Sequence, residues 1–175
     1  MHTFPARILL ATDGSVGAEF AARTAIRLAT GGDCELHLIY VVRLPGYPAY
    51  VPISVRHLEW ALHEGAEREA LEKLWELASR IRAAGGPVAG AHLRTGKVVE
   101  EVLGLAEELE VDLIVVGSRD RSGVARTVMG SVSGSVVRHA RCPVVVARSL
   151  EEDGKRKRGP RSGISSWGSW GTRRP

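Results

Sequence analysis

The sequence predicts an α/β fold in which a single five-stranded parallel sheet carries helices on both faces. Two observations point there. Five short apolar runs alternate along the chain with four stretches whose apolar residues recur at helical spacing, and right-handed crossovers join such a βαβαβαβαβ series into one sheet. The clearest run also lacks the alternation of a half-solvated strand: Leu113, Ile114, Val115 and Val116 are apolar in succession, as suits a strand covered above and below. At 175 residues the chain makes one domain with a full core.

Taken in order, Arg7–Thr12, RILLAT, is the first strand, closed by the turn Asp13-Gly14-Ser15. Ser15 is the natural N-cap of a helix with Ala18, Ala21, Ala22, Ala25, Ile26, Leu28 and Ala29 on or beside one face. That helix stops at Gly31-Gly32, where a positive φ costs little. Residues 34–42, CELHLIYVV, form the second strand. Pro45, Gly46, Pro48 and Pro52 then exclude regular structure and mark a loop placed to cover the sheet's edge. A long helix over 57–84 carries apolar residues at 58, 61, 62, 66, 71, 74, 77, 78 and 81 and ends before Gly85-Gly86-Pro87. Trp60 and Trp75 read as its packing residues. Residues 88–94 are a third strand, Thr95-Gly96 a turn, and 97–109 a third helix. Gly90 to Lys97 is not a phosphate-binding P-loop, because five residues separate its glycines and Val98 stands where Ser or Thr is needed.

Residues 111–147, VDLIVVGSRDRSGVARTVMGSVSGSVVRHARCPVVVA, hold the chemistry. A buried strand ends at Gly117, a loop follows, a short helix opens on Gly130-Ser131, and residues 143–147 form a last strand. A loop that closes on a helix start offers unpaired N–H groups and a positive dipole end to an anion. Gly117 and Gly130 let the backbone approach a phosphate where a Cβ would intrude. Ser131 either caps the helix or donates to a phosphate oxygen, and Ser133 sits in the same turn. Arg119, Arg121 and Arg126 either clamp phosphates or form a solvated surface. Arg138 and His139 place positive charge at the helix's negative end, a structural role.

This stretch resembles the nucleotide-binding members of the universal stress protein family, which carry Gly, two residues, Gly, nine residues, then Gly-Ser or Gly-Thr. Here the spacing is Gly117, Ser118-Arg119, Asp120, nine residues over 121–129, then Gly130-Ser131, so Asp120 replaces the second glycine. The run SVSGSVVRHARCPVVV is also similar to the family's path into its last strand. The resemblance spans residues 7–148. It implies a Rossmann-like sheet of order 3-2-1-4-5, ATP or another adenine nucleotide as ligand, and a homodimer formed through the 143–147 strand. It also implies a binding set: Asp13 and the backbone around Ala11 and Thr12 at the ribose and adenine, and Val41 against the base. Gly117, Ser118, Arg119, Asp120, Gly130, Ser131, Val132 and Ser133 complete that set on the phosphate side.

The implied order places a switch point between strands 1 and 4, so that Asp13-Gly14-Ser15 and residues 117–133 empty into one crevice. A carboxylate suits a ribose because it accepts two hydroxyl hydrogen bonds; the alternative is that Asp13 is only a turn residue beside Gly14. Asp120 sets a carboxylate against an anionic ligand. Either Mg²⁺ bridges it to the phosphates, or the chain is a nucleotide-independent interaction protein whose site Asp120 impairs. No nucleophile, base and orienter can be assembled, so the sequence does not read as an enzyme, and slow ATP hydrolysis would be the most to expect.

The net charge of +4 does not belong to the body: residues 1–150 hold 17 Lys+Arg and 17 Asp+Glu, and 151–175 hold 7 and 3. Residues 149–175 are a basic Gly/Ser/Trp tail with too few aliphatic residues to fold, read as disordered. As an electrostatic arm it would set Lys155, Arg156, Lys157 and Arg158 on phosphates and stack Trp167 and Trp170 on bases. The sequence favours a solvated tail and no nucleic-acid partner. Cys34 and Cys142 have no ligand or resolving thiol at a motif spacing and read as free thiols. With no apolar run of membrane length, and an N-terminal run broken at Asp13, the expectation is a cytoplasmic stress-response module signalling to an unidentified protein partner.

Overall fold

The computed structural model describes residues 5–30, 33–43, 53–118 and 130–148, with the backbone alone over 53–62. Nine elements follow one another: β1 (Arg7–Thr12), α1 (Val16–Ala29), β2 (Glu35–Arg43), α2 (Ile53–Ala83), β3 (Val88–Gly96), α3 (Val98–Glu108), β4 (Leu113–Gly117), α4 (Ser131–His139) and β5 (Val144–Ala147). The strands form one sheet of order β3-β2-β1-β4-β5, parallel at every pairing. Fold class and strand order are as expected. The proline-rich loop, the Gly31-Gly32 stop and the tail at 149–175 lie outside the described residues.

Successive residues of a strand point to opposite faces, and here both faces are apolar. Ile8, Leu10, Leu36, Leu38, Leu113 and Val115 pack with Ala21, Ala22 and Ala25 of α1 and Leu74, Ala78 and Ile81 of α2. Leu9, Ile39, Ile114 and Val116 pack with Val102, Leu105 and Ala106 of α3 and Val136 of α4. The buried side of α1 is entirely alanine, so the helix lies close on the strands. Ser15 caps it as expected, its Oγ accepting from the Ala18 N–H at 3.3 Å.

Three expectations about local structure are corrected. Thr95 and Gly96 are not a turn but the end of β3, where they pair with Val42 and Arg43. On α2 the sheet-facing stripe runs through Ala70, Leu74, Ala78 and Ile81, while Leu71 is 40% exposed. Trp75 is 52% exposed and packs no core, because each residue turns about 100° from its neighbour and Leu74 already occupies the inward position. The side chain of Trp60 lies outside the described residues.

Cys34 and Cys142 are free thiols, one buried and one half-buried. Burial pushes both thiols up, aided at Cys34 by the Asp112 and Glu35 carboxylates, so neither is poised as a nucleophile. None of the described helices is long and apolar enough to cross a membrane.

At the amino ends of the strands Asp112 joins β1 to β4. Its Oδ2 accepts from the N–H groups of Ala6 and Arg7, each at 2.9 Å, and its own N–H donates to the Arg7 carbonyl at 2.9 Å. Removing the carboxylate strands two partly buried donors. Asp112→Ala is therefore expected to destabilise the domain by about 1–3 kcal/mol and Asp112→Asn by less, since one acceptor oxygen remains; urea unfolding midpoints at a common slope measure both.

Candidate functional site

β1 and β4 are neighbours, with Ala11 opposite Val116, but their following helices go to opposite faces, α1 to one and α4 to the other. In an open α/β sheet such a switch point opens a crevice at the carboxyl ends of the strands, the usual ligand position.

A contact between two glycines sets how closely α1 approaches the end of β4. A Cβ on Gly117 would lie 2.5 Å from the Gly17 carbonyl oxygen, and one on Gly17 would lie 2.6 Å from the Ser118 carbonyl oxygen. The first turn of α1 thus touches the end of β4 backbone to backbone. Gly117 has a physical reason different from the one expected: what fills the space beside it is α1. Gly17 went unread, although a glycine in a first helical turn, where it costs propensity, is a signal that something approaches closely.

The β1–α1 turn is built around Asp13. Its Oδ1 accepts from the Ser15 N–H at 3.0 Å, an Asx turn, and Gly14 follows at φ 71°. The Asp13 carbonyl accepts from the Tyr40 hydroxyl at 3.2 Å. Asp13 is therefore a turn residue here, whatever else its carboxylate meets.

Of the expected nucleotide set, Ala11, Val41 and Val132 are each partly buried against the core on the α3/α4 side of the sheet. Thr12 does not join them. Its side chain lines a separate cleft of about 230 Å³ on the α1/α2 side, with Gly14, Ser15, Tyr40, Lys73 and Arg80, and its Oγ1 accepts from the Gly14 N–H at 3.3 Å. Ser118 spends its main chain on structure, its N–H donating to the Ala147 carbonyl at 2.8 Å.

α4 begins with no side-chain cap. Gly130 is the N-cap at φ −55° and ψ 152° and, as a glycine, brings no side-chain cap to the first turn. Ser131 is the first helical residue and exposed, so it does not cap the helix. Ser133 is 2% exposed and its hydroxyl donates back to the Gly130 carbonyl at 3.1 Å, which turns it inward. Arg119, Asp120, Arg121 and Arg126 lie outside the described residues. At the far end of α4, His139 Nδ1 meets the Ser135 carbonyl at 2.8 Å, consistent with a structural role.

Comparison with known proteins adds a family to this geometry. Residues 6–148 match the model of the universal stress protein family. A universal stress protein of Methanocaldococcus jannaschii is 30% identical over 147 residues, covering 84% of either chain. A relative from Staphylococcus haemolyticus is 34% identical over 145 residues, covering 82% of this chain and 85% of its own. Among solved structures, the universal stress protein UspA of Lactobacillus plantarum superposes with a TM-score of 0.72 at 24% identity, over 84% of this chain and 100% of that one. A family protein of Arabidopsis thaliana solved with AMP bound gives 0.55 at 18% identity, over 82% and 92% of the two chains. A universal stress protein solved in complex with cAMP gives 0.57 at 22% identity, over 82% and 97%.

The glycine contact yields a test by sign. Helix propensity alone makes Gly17→Ala stabilising by up to about 1 kcal/mol. With the Ser118 carbonyl in the way, Gly17→Ala and Gly117→Ala are both expected to destabilise by about 1–3 kcal/mol through forced displacement of backbone. Denaturant unfolding reads the outcome, and a more stable Gly17→Ala would mean that the two backbones do not touch.

Proposed function

The chain belongs to the universal stress protein family, and from that premise we propose that its crevice binds an adenine nucleotide, ATP foremost, as the sensing step of a cytoplasmic stress-response module. The observation that carries this reading is the start of α4 at Gly130, with no side-chain cap from that residue, on the side of the sheet where Ala11, Val41 and Val132 line the apolar wall of the core. The wall suits a base, and the open first turn, with the N–H groups of Ser131, Val132 and Ser133, suits a phosphate. That fold neighbours were solved with AMP and with cAMP supports the same ligand class.

In this reading Asp13, placed beside the crevice by its turn, accepts from the ribose hydroxyls, and the main chain at Ala11 and Thr12 meets the adenine edge. Ser118, Arg119 and the backbone from Gly117 to Gly130 face the phosphates. Asp120 is the residue that would hold Mg²⁺, which would supply charge neutralisation at the phosphates. The protein acts as a binding module, with slow hydrolysis at most, and reports nucleotide state to a protein partner.

Asp120, standing where the family's binders have glycine, motivates the rival reading of a nucleotide-independent interaction protein. Calorimetric titration of ATP with Mg²⁺ and in chelator separates the two, since no heat in either condition supports the rival. Two like charges ~6 Å apart at an effective dielectric of ~20 repel by ~3 kcal/mol, which screening at an open loop reduces to ~1 kcal/mol. Asp120→Gly is therefore expected to strengthen ATP binding about fivefold in chelator. If the carboxylate ligates Mg²⁺, the same substitution weakens binding when Mg²⁺ is present.

We further propose a two-fold homodimer through β5. This strand closes the sheet on one side, and an apolar edge strand invites pairing with its own copy. Val145→Lys is expected to shift sedimentation from dimer toward monomer while the far-ultraviolet circular dichroism is retained. A dimer unaffected by that charge, or one lost on deleting residues 151–175, would place the interface elsewhere.

A further inference from the structure

β2 and β3 each carry one histidine on the side of the sheet covered by α3. His37 Nδ1 and His92 Nε2 stand 3.3 Å apart, with ring centroids 5.6 Å apart and planes tilted by 34°. The position between them is kept open by a glycine. Gly90 pairs with His37 in the strand register, and a Cβ there would lie 2.8 Å from His37 Nδ1 and 2.7 Å from His92 Nε2. Both ring nitrogens therefore converge on a point that any other residue would fill. On the far side of the His37 ring, the Glu35 carboxylate lies 3.6 Å from Nε2. The pair is separate from the crevice, since His37 precedes Val41 by four residues, about 13 Å along the strand.

Two imidazoles so placed either share a hydrogen bond or chelate a cation. Nitrogens held about 2.0–2.1 Å from a tetrahedral Zn²⁺ lie about 3.3–3.4 Å from each other, the separation seen here. A carboxylate behind one ring favours the proton on Nε2 and so turns the Nδ1 lone pair toward the shared point, the way outer carboxylates orient metal-bound histidines. Burial, then His37 and Arg94, hold His92 below the usual imidazole range, which leaves its ring neutral at pH 7 and able to ligate. The charges facing the pair are matched: Glu35 on β2 meets Arg7 of β1, and Arg94 on β3 meets Glu108 of α3.

We propose that His37 and His92, across Gly90, form a two-imidazole site for a divalent transition-metal ion of the Zn²⁺ type. Among the described residues no group of three or more His, Cys, Asp or Glu side chains converges, so water or a small anion completes the coordination and the ion exchanges readily. Binding clips the edge strand β3 to β2 and so stabilises the folded chain. Because metal-bound imidazoles must be unprotonated, affinity falls on acidification.

The test is Zn²⁺ titration by calorimetry on the full chain at pH 7.5, with thermal unfolding in Zn²⁺ and in chelator. Wild type is expected to show a site whose affinity falls at least about tenfold in His37→Gln and in His92→Gln. The double variant should lose no more than either single one, because a chelate is lost with either arm. Gly90→Ala keeps both imidazoles but fills the shared point, and it should lose the same binding. Zn²⁺ should raise the unfolding midpoint of wild type and of none of these variants. If His37→Gln fails to fold in chelator, His92→Gln and Gly90→Ala carry the comparison. Unchanged binding or an unchanged midpoint shift in them would assign the ion to other side chains and overturn the proposal. Absence of Zn²⁺ binding to wild type would also overturn it, leaving a hydrogen-bonded pair.

Discussion

Two backbones that touch at Gly17 and Gly117 fix the geometry on which the rest of this domain depends. Had either residue a side chain, the first turn of α1 would be lifted from the end of β4 by the width of a methyl group at least. Four alanines along the same helix face, Ala18, Ala21, Ala22 and Ala25, continue that close approach over β1 and β4. The consequence reaches the crevice, because the turn at Asp13-Gly14-Ser15 is the entrance to the same helix and moves with it.

The opposite end of the sheet is held by different chemistry. Asp112 binds the main chain of Ala6 and Arg7, and Arg7 in turn donates to the Leu109 carbonyl and to Glu35. The amino ends of β1, β2 and β4 are thus joined by polar contacts around one carboxylate, whereas at the carboxyl ends the close approach of Gly17 and Gly117 is joined by the Tyr40 hydroxyl on the Asp13 carbonyl.

The histidine pair shows that a third region carries its own chemistry. His37 and His92 are 55 residues apart in the chain and meet only because β2 and β3 pair in a register that sets Gly90 beside them. The edge strand β3 is paired in the sheet with β2 alone, so a cross-strand clip would act on the pairing that holds it there.

The sequence by itself determined the fold class, the order of elements, the Ser15 cap and the alanines of the buried face of α1, whereas Leu28, read with that face, is 40% exposed. Each of these follows from local signals: apolar runs, alanine spacing, and serine after a turn, which act over a few residues and are written there. It also located the loop-to-helix step at Gly130, because helix starts and glycines are local features. What only the tertiary structure decided concerns partners distant in the chain. Gly117 answers to Gly17, the side chain of Thr12 faces away from Ala11, Trp75 stands in solvent while Ala70 is buried, and Ser133 turns inward to Gly130. Strand register and the rotation of a helix about its axis set those outcomes, and both arise from packing between elements that no single stretch of sequence contains.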